Sequence, residues 1–267
     1  MLRNVATKTL YDMRRALAWW SLGLAGIVAL MVSVYPTVRD MPSLNKLVEQ
    51  YPEAIKGFVS FGGQVDYTSG PGYLGSELFA IWVPLLLLIA AIGAGARATA
   101  GEEELGTLDL LLANPISRRR LVVEKFAALV AEVALLGFVL WCALVAGTAV
   151  VTMHVSAAHL AAAVASAVLL AIGFGAIALL VGALTGRRGS AIGISAAVAV
   201  AAYLVNSLAP LVHALEPVRK ASPFYHYAAS DPLRHGLALS HATVLIAIAV
   251  AATIAAPLVF ERRDLRS

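Results

Sequence analysis

Six stretches of roughly 20 or more mostly apolar residues dominate this chain, at about 17–38, 74–96, 123–152, 159–185, 189–211 and 241–260. A helix of that length crosses the hydrocarbon core of a bilayer. Inside lipid, every backbone N–H and C=O must find a partner within the protein, so only helices and closed barrels span it. A barrel would show short segments of alternating hydrophobicity, and these runs are long and continuous. Composition agrees: the chain is 60% hydrophobic and 13% charged, with a mean hydropathy of +0.82, where soluble domains are nearer half and a quarter. The expectation is an all-α polytopic membrane protein, with a single transmembrane domain over residues 1–267.

The basic residues orient the spans. Six spans place both termini on one side. If that side is the cytoplasm, 14 of the 20 Lys and Arg residues lie inside, among them Arg14, Arg15, Arg118, Arg119, Arg120, Arg187 and Arg188. The positive-inside bias therefore puts both ends in the cytoplasm. The same flanking pattern explains the net charge of +4 and pI of 9.3 without nucleic acid. The first run is too long for a cleavable signal and reads as a retained signal-anchor. Cys142, the single cysteine, sits within a span and excludes an internal disulfide or a cysteine-based metal site.

Residues 1–16 alternate Val5, Leu10 and Met13 with Arg3, Lys8, Asp12, Arg14 and Arg15, a pattern for an amphipathic helix in the cytoplasmic interface. Two external segments are long. Residues 39–73 are rich in Pro and Gly, with a short helix expected at about 43–60 between breakers. Residues 212–240 carry Pro217, Pro223 and Pro232 around Phe224, Tyr225 and Tyr227, which suits short re-entrant or interfacial helices.

The segment GEEELGTLDLLLANPISRRR, residues 101–120, is unusually ordered for a loop between spans. Glu102, Glu103 and Glu104 suit the first turn of a helix, where carboxylates favour the positive end of the dipole. Leu105, Leu108 and Leu112 follow at i, i+3 and i+7 with Leu111 beside them, making one apolar face. Pro115 ends that helix, and Ser117 is placed to cap the next. Arg118, Arg119 and Arg120 oppose the dipole there, so lipid phosphates are expected to offset them. Periodicity alone leaves two readings of this 101–113 helix: an interfacial connector, or a helix that docks in a groove on a soluble partner.

The stretch from Gly101 to Lys125 resembles the first cytoplasmic loop of ABC-2 type ABC transporter permeases. Their pattern, E-x-x-x-G-T-L-(E/D)-x-L-L-(A/S)-x-P-(I/V)-S-R, is matched by Glu102, Gly106, Thr107, Leu108, Asp109, Leu111, Leu112, Pro115, Ser117 and Arg118. The six-span layout, the basic amphipathic N-terminus and the Ser222–Tyr227 stretch are also similar, most of all to the copper-maturation and antibiotic-export branch. The resemblance implies an ABC-2 (type V exporter-like) permease fold whose 101–113 segment is a coupling helix. It implies docking of a P-loop ATPase subunit through Glu102, Glu103, Glu104, Leu105, Gly106, Thr107, Leu108, Leu111 and Leu112. It further implies pairing with a second copy or a paralogous permease in the plasma membrane; the alanine-rich composition points to a bacterial source. The chain has no G-x-x-x-x-G-K-[ST] phosphate loop. No cofactor is therefore expected on this chain, and ATP and Mg belong to the partner.

Other residues carry narrower readings. Arg187 and Arg188, in the turn between spans four and five, offer a second contact with the ATPase. Gly182/Gly186 and Gly189/Gly193 are G-x-x-x-G pairs suited to close helix packing, within the chain or at a dimer seam. Glu132 is a carboxylate within a span, costly unless paired, with Arg97 or Arg187 as partner or a role in the translocation path. Asn206, Pro84 and Pro210 are further candidates for that path or for kinks. His154, His159, His213, His226, His235 and His241 fall toward the outside, without metal-site spacing. Two rival functions stand beside the permease. A secondary transporter would want more charge within the spans. An intramembrane serine protease would need Ser195 and His241 within hydrogen-bond reach, and the topology puts them at opposite depths. The cargo expected of an apolar path is a hydrophobic or amphipathic small molecule, such as a drug, antibiotic or lipid.

Overall fold

The computed structural model describes residues 5–41, 43, 45–46, 50–52, 55, 66–106, 117–209, 212 and 216–262. Among them there is no strand. A short helix, Val5–Asp12, leads into span one, Arg14–Arg39. Span two runs Gly70–Glu104, span three Arg118–Val150 and span four Ala157–Thr185. Span five is Arg188–Leu208 and span six Leu239–Arg262. Between the last two lie the short helices Glu216–Arg219, Pro223–Ala228 and Pro232–His235.

Six helices thus coincide with the six apolar runs; spans one, two, four and six extend beyond them, while spans three and five start earlier but stop short, at Val150 and Leu208. Ser117 caps span three as expected: its hydroxyl accepts the Arg120 N–H at 3.3 Å. Ser156 caps span four through the His159 N–H at 3.1 Å. Span four stops at Gly186, whose φ of +64° is the left-handed turn that ends helices and suits glycine. Gly186 is therefore a cap, and the Gly182/Gly186 pair does not form one helical seam. Gly182 alone packs tightly, against Thr99 and Ala100 of span two. Gly189 and Gly193 have open space beside them. Most of the expected 43–60 helix, and Pro210, lie outside the described residues.

Span two departs from a plain helix twice. Gly75–Trp82 and Arg97–Gly101 are π-helical. The first lies just before Pro84, which has no N–H to offer and crowds the carbonyl four residues back. A wider turn relieves that conflict. The carbonyl of Phe79, in this turn, accepts the Tyr227 hydroxyl at 2.7 Å.

Spans four and two form the core, with 72% and 67% of their most apolar windows buried, against 22% for spans one and five. At their crossing a Cβ on Gly95 would lie 2.1 Å from the Gly175 carbonyl oxygen, so the two backbones touch. Small residues permit such an approach, and dispersion then works at short range. Leu87, Ala91, Phe174 and Ala178 fill the space around it, and Leu129, Val133, Leu136 and Leu140 of span three close the third side.

The end of the bundle opposite the chain termini is pinned by polar groups. The Asp66 carboxylate accepts from the Thr68 N–H, the Thr68 hydroxyl and the Asn45 amide. Burial works to raise the pKa of this carboxyl, but those hydrogen bonds prevail and hold it well below the usual range. The Pro223–Ala228 helix is wedged among the spans. Ser166 of span four donates to the Tyr227 carbonyl at 2.8 Å, and Ser222 donates to the Ala202 carbonyl of span five at 2.8 Å. Phe224 packs its ring against Phe174, Tyr203 and Tyr227.

Candidate functional site

The end that carries the termini is where the charged residues gather. Here the structure corrects one expectation. Glu102, Glu103 and Glu104 do not open a separate helix; they close span two, whose helix continues unbroken to Glu104. Leu105 and Gly106 then turn away, with Gly106 at φ +66°, a conformation that glycine adopts without steric cost. Carboxylates at a helix C-terminus oppose its dipole, so other charges must hold them. Lys125 of span three, almost wholly buried, pairs with Glu102. The Arg188 backbone N–H donates to Glu104 Oε1 at 2.8 Å. The rest of the 101–113 segment, residues 107–113, with the docking candidates Thr107, Leu108, Leu111 and Leu112, lies outside the described residues.

The arginines that open span three are also held by protein groups rather than by lipid phosphate alone. Arg119 makes a bidentate bridge to Glu261 of span six, at 2.8 and 3.0 Å. Arg118 donates to the Phe260 carbonyl at 3.2 Å. Arg120 reaches Glu124 at 2.8 Å, and Glu124 also accepts the Val5 N–H at 2.7 Å. That last bond ties the N-terminal helix to span three.

Two sequence-chosen sites become one surface. Glu103 and Glu104 line a shallow depression together with Gly186, Arg187, Gly189 and Ser190. The end of span two and the turn between spans four and five thus share one face, of about 650 Å³.

Beneath this surface lie two cavities. One, of about 380 Å³, is bounded by the N-terminal helix and spans two and three, and is lined in part by Lys8, Asp12, Arg97, Glu102, Lys125 and Glu132. Glu132 is buried, and its nearest cation is Arg97, 3.7 Å away. Of the two partners considered for it, the structure selects Arg97 over Arg187. The other cavity, of about 460 Å³, is a groove between spans two and five, also touching Trp20 of span one. Pro84 lies in its wall; Glu132 and Asn206 do not. The Asn206 amide oxygen is buried without a partner among the described residues. Arg97 borders both cavities.

The rival chemistry finds no support in the geometry. Ser195 is fully buried in span five. His241 stands at the start of span six, at the far end, with its Nδ1 2.9 Å from His226 Nδ1. Among the described residues no three His, Cys, Asp or Glu side chains converge as a metal site.

Lys125, Gly95 and the Tyr227 contact were not singled out from the sequence. Only Lys125 had a local signal: it is a charge two turns inside a span, where a partner is obligatory.

A family model described as "ABC-2 family transporter protein" matches residues 3–265. No curated protein matches the chain.

Proposed function

The chain belongs to the ABC-2 family of transporter proteins, and from that premise we propose that it is the permease half of an ATP-driven exporter. A multi-pass transport subunit of this family works with an ABC ATPase subunit. In this reading the ATPase sits against the depression that joins Glu103 and Glu104 to Arg187, on the cytoplasmic side, together with the 105–112 segment. That shared surface is the observation that carries the reading. Span two both lines the apolar groove and ends in the surface, and it packs against span four along Gly95. A push on Glu102–Glu104 is therefore delivered to the groove wall through one continuous helix. Two copies of the chain, or one copy and a paralogue, complete the path in a bacterial plasma membrane, with both termini inside. The cargo is a hydrophobic or amphipathic small molecule.

The test is co-purification. The chain is expressed with its genomic neighbours, captured in detergent and tested for a bound ATPase. The ATPase is expected with the wild-type chain and reduced with Leu108→Glu or Glu104→Lys. A chain that purifies alone from its native membrane would overturn the docking reading.

A further inference from the structure

The groove between spans two and five is apolar along its length and charged at one end only. Ile81, Pro84, Leu88 and Ile192 represent its wall; among the described residues Arg97 and Arg188 are the charged ones that line it, and no carboxylate does. Phe224 and Tyr203 stand at the other end. Along span two, Ile81 and Arg97 are separated by about 24 Å, the reach of a long acyl chain.

The arginines are disposed to receive an anion. The Arg97 guanidinium is 3.7 Å from Glu132, beyond hydrogen-bond length. Its Nη1 lies over Gly93, where a Cβ would come within 3.3 Å of it. Glu104 takes the backbone N–H of Arg188 rather than its side chain. Two guanidiniums facing one apolar slot repel each other unless a negative group sits between them, and their planar donors match phosphate or carboxylate oxygens.

We propose that this groove receives an anionic amphiphile, a single-headed acidic lipid, with its head between Arg97 and Arg188 and its tail along Ile81, Pro84 and Leu88. The inference rests on the exporter reading and narrows its cargo to one charge class. Arg97 exchanges Glu132 for the lipid head, so occupancy of the groove is felt in the neighbouring cavity that reaches Glu102.

The experiment uses the full chain with its ATPase in neutral detergent. Trp19, Trp82 and Trp141 are replaced by Phe, leaving Trp20 in the groove wall as reporter. Two probes share one brominated acyl chain and differ in the head: lysophosphatidate and lysophosphatidylcholine. The phosphate-headed probe is expected to quench Trp20 at an about tenfold lower concentration, the factor that about 1.4 kcal/mol represents. Arg97→Gln should abolish that preference and Arg97→Lys should keep part of it. Arg188→Gln, at an exposed position, should weaken it even if the Arg97 variants fold poorly. Equal quenching by both probes, or a preference that survives Arg97→Gln and Arg188→Gln, overturns the proposal. So does quenching by neither, which would mean that a second copy covers the groove. ATPase retention in the same preparation reports separately on the exporter reading, so the two can fail independently.

Discussion

Consider replacing Gly95 with alanine. The new methyl would meet the Gly175 carbonyl oxygen at 2.1 Å and the Leu179 nitrogen at 3.0 Å. Ordinary contact begins at 3.4 Å, so spans two and four must part by up to 1.3 Å. Both partners are backbone, and no side chain can swing aside. A gap of 0.5–1 Å already forfeits roughly a quarter to a half of a dispersion contact, and Leu87, Ala91, Phe174 and Ala178 share that interface. Overpacking of this kind costs about 1–3 kcal/mol, or a fall of about 3–10 °C in Tm for a chain of this size. The assay is thermal melting of the full chain in detergent, followed by intrinsic fluorescence. Gly26→Ala is the control, because nothing lies within 4 Å of a Cβ there; it should melt at or slightly above the wild type. If Gly95→Ala melts with the wild type while Gly26→Ala behaves as stated, the backbone contact between spans two and four is not what holds the core.

Two further outcomes follow from groups at the far end of the bundle. Tyr227→Phe removes the phenol that donates to the Phe79 carbonyl in the first π turn and should cost about 1–3 kcal/mol, read by the same melting assay; an unchanged Tm would show that the π turn does not depend on the phenol. Asp66→Asn tests a pH-linked contact. A carboxyl held below its unfolded pKa stabilises the fold above that value, about 3.9, and the contribution is lost as pH falls toward the folded value. The variant should therefore melt lower than the wild type at neutral pH, and the difference should shrink below about pH 4.

The spans were legible because lipid admits so few structures: length and apolarity decide nearly everything. Ser117 was legible because a cap is a local hydrogen bond. The end of span two was not. Its acids carry the signature of a helix start, and nothing local tells that a helix begun at Gly70 is still running when it reaches them. What overrides the dipole is Lys125, more than twenty positions away, and the Arg188 backbone, more than eighty away. Gly95 and Gly175 are likewise distant, and neither belongs to a G-x-x-x-G pair that draws the eye. The pairs that do draw it, at 182/186 and 189/193, proved to be a helix cap with one tight contact and an open face. Glu132 invites either an arginine partner or a place on the path, and Arg97 stands 3.7 Å from it; which cavity it faces depends on how three helices cross.

The inner π turn of span two, Arg97–Gly101, has a mechanical meaning. A π turn stores one residue more than an α turn, so it is slack held within a helix. Taking up that residue would rotate everything on one side of it by about 100° relative to the other. Arg97 sits at the start of the turn and Glu102 immediately after it. A screw-like motion at this point would swing the bearing of the arginine relative to the acids by little more than a quarter turn, about 100°, without uncoiling the helix. The turn lies between the acids at the surface and the arginine at the groove, so the loss of one residue from it would change how those two ends of span two face each other.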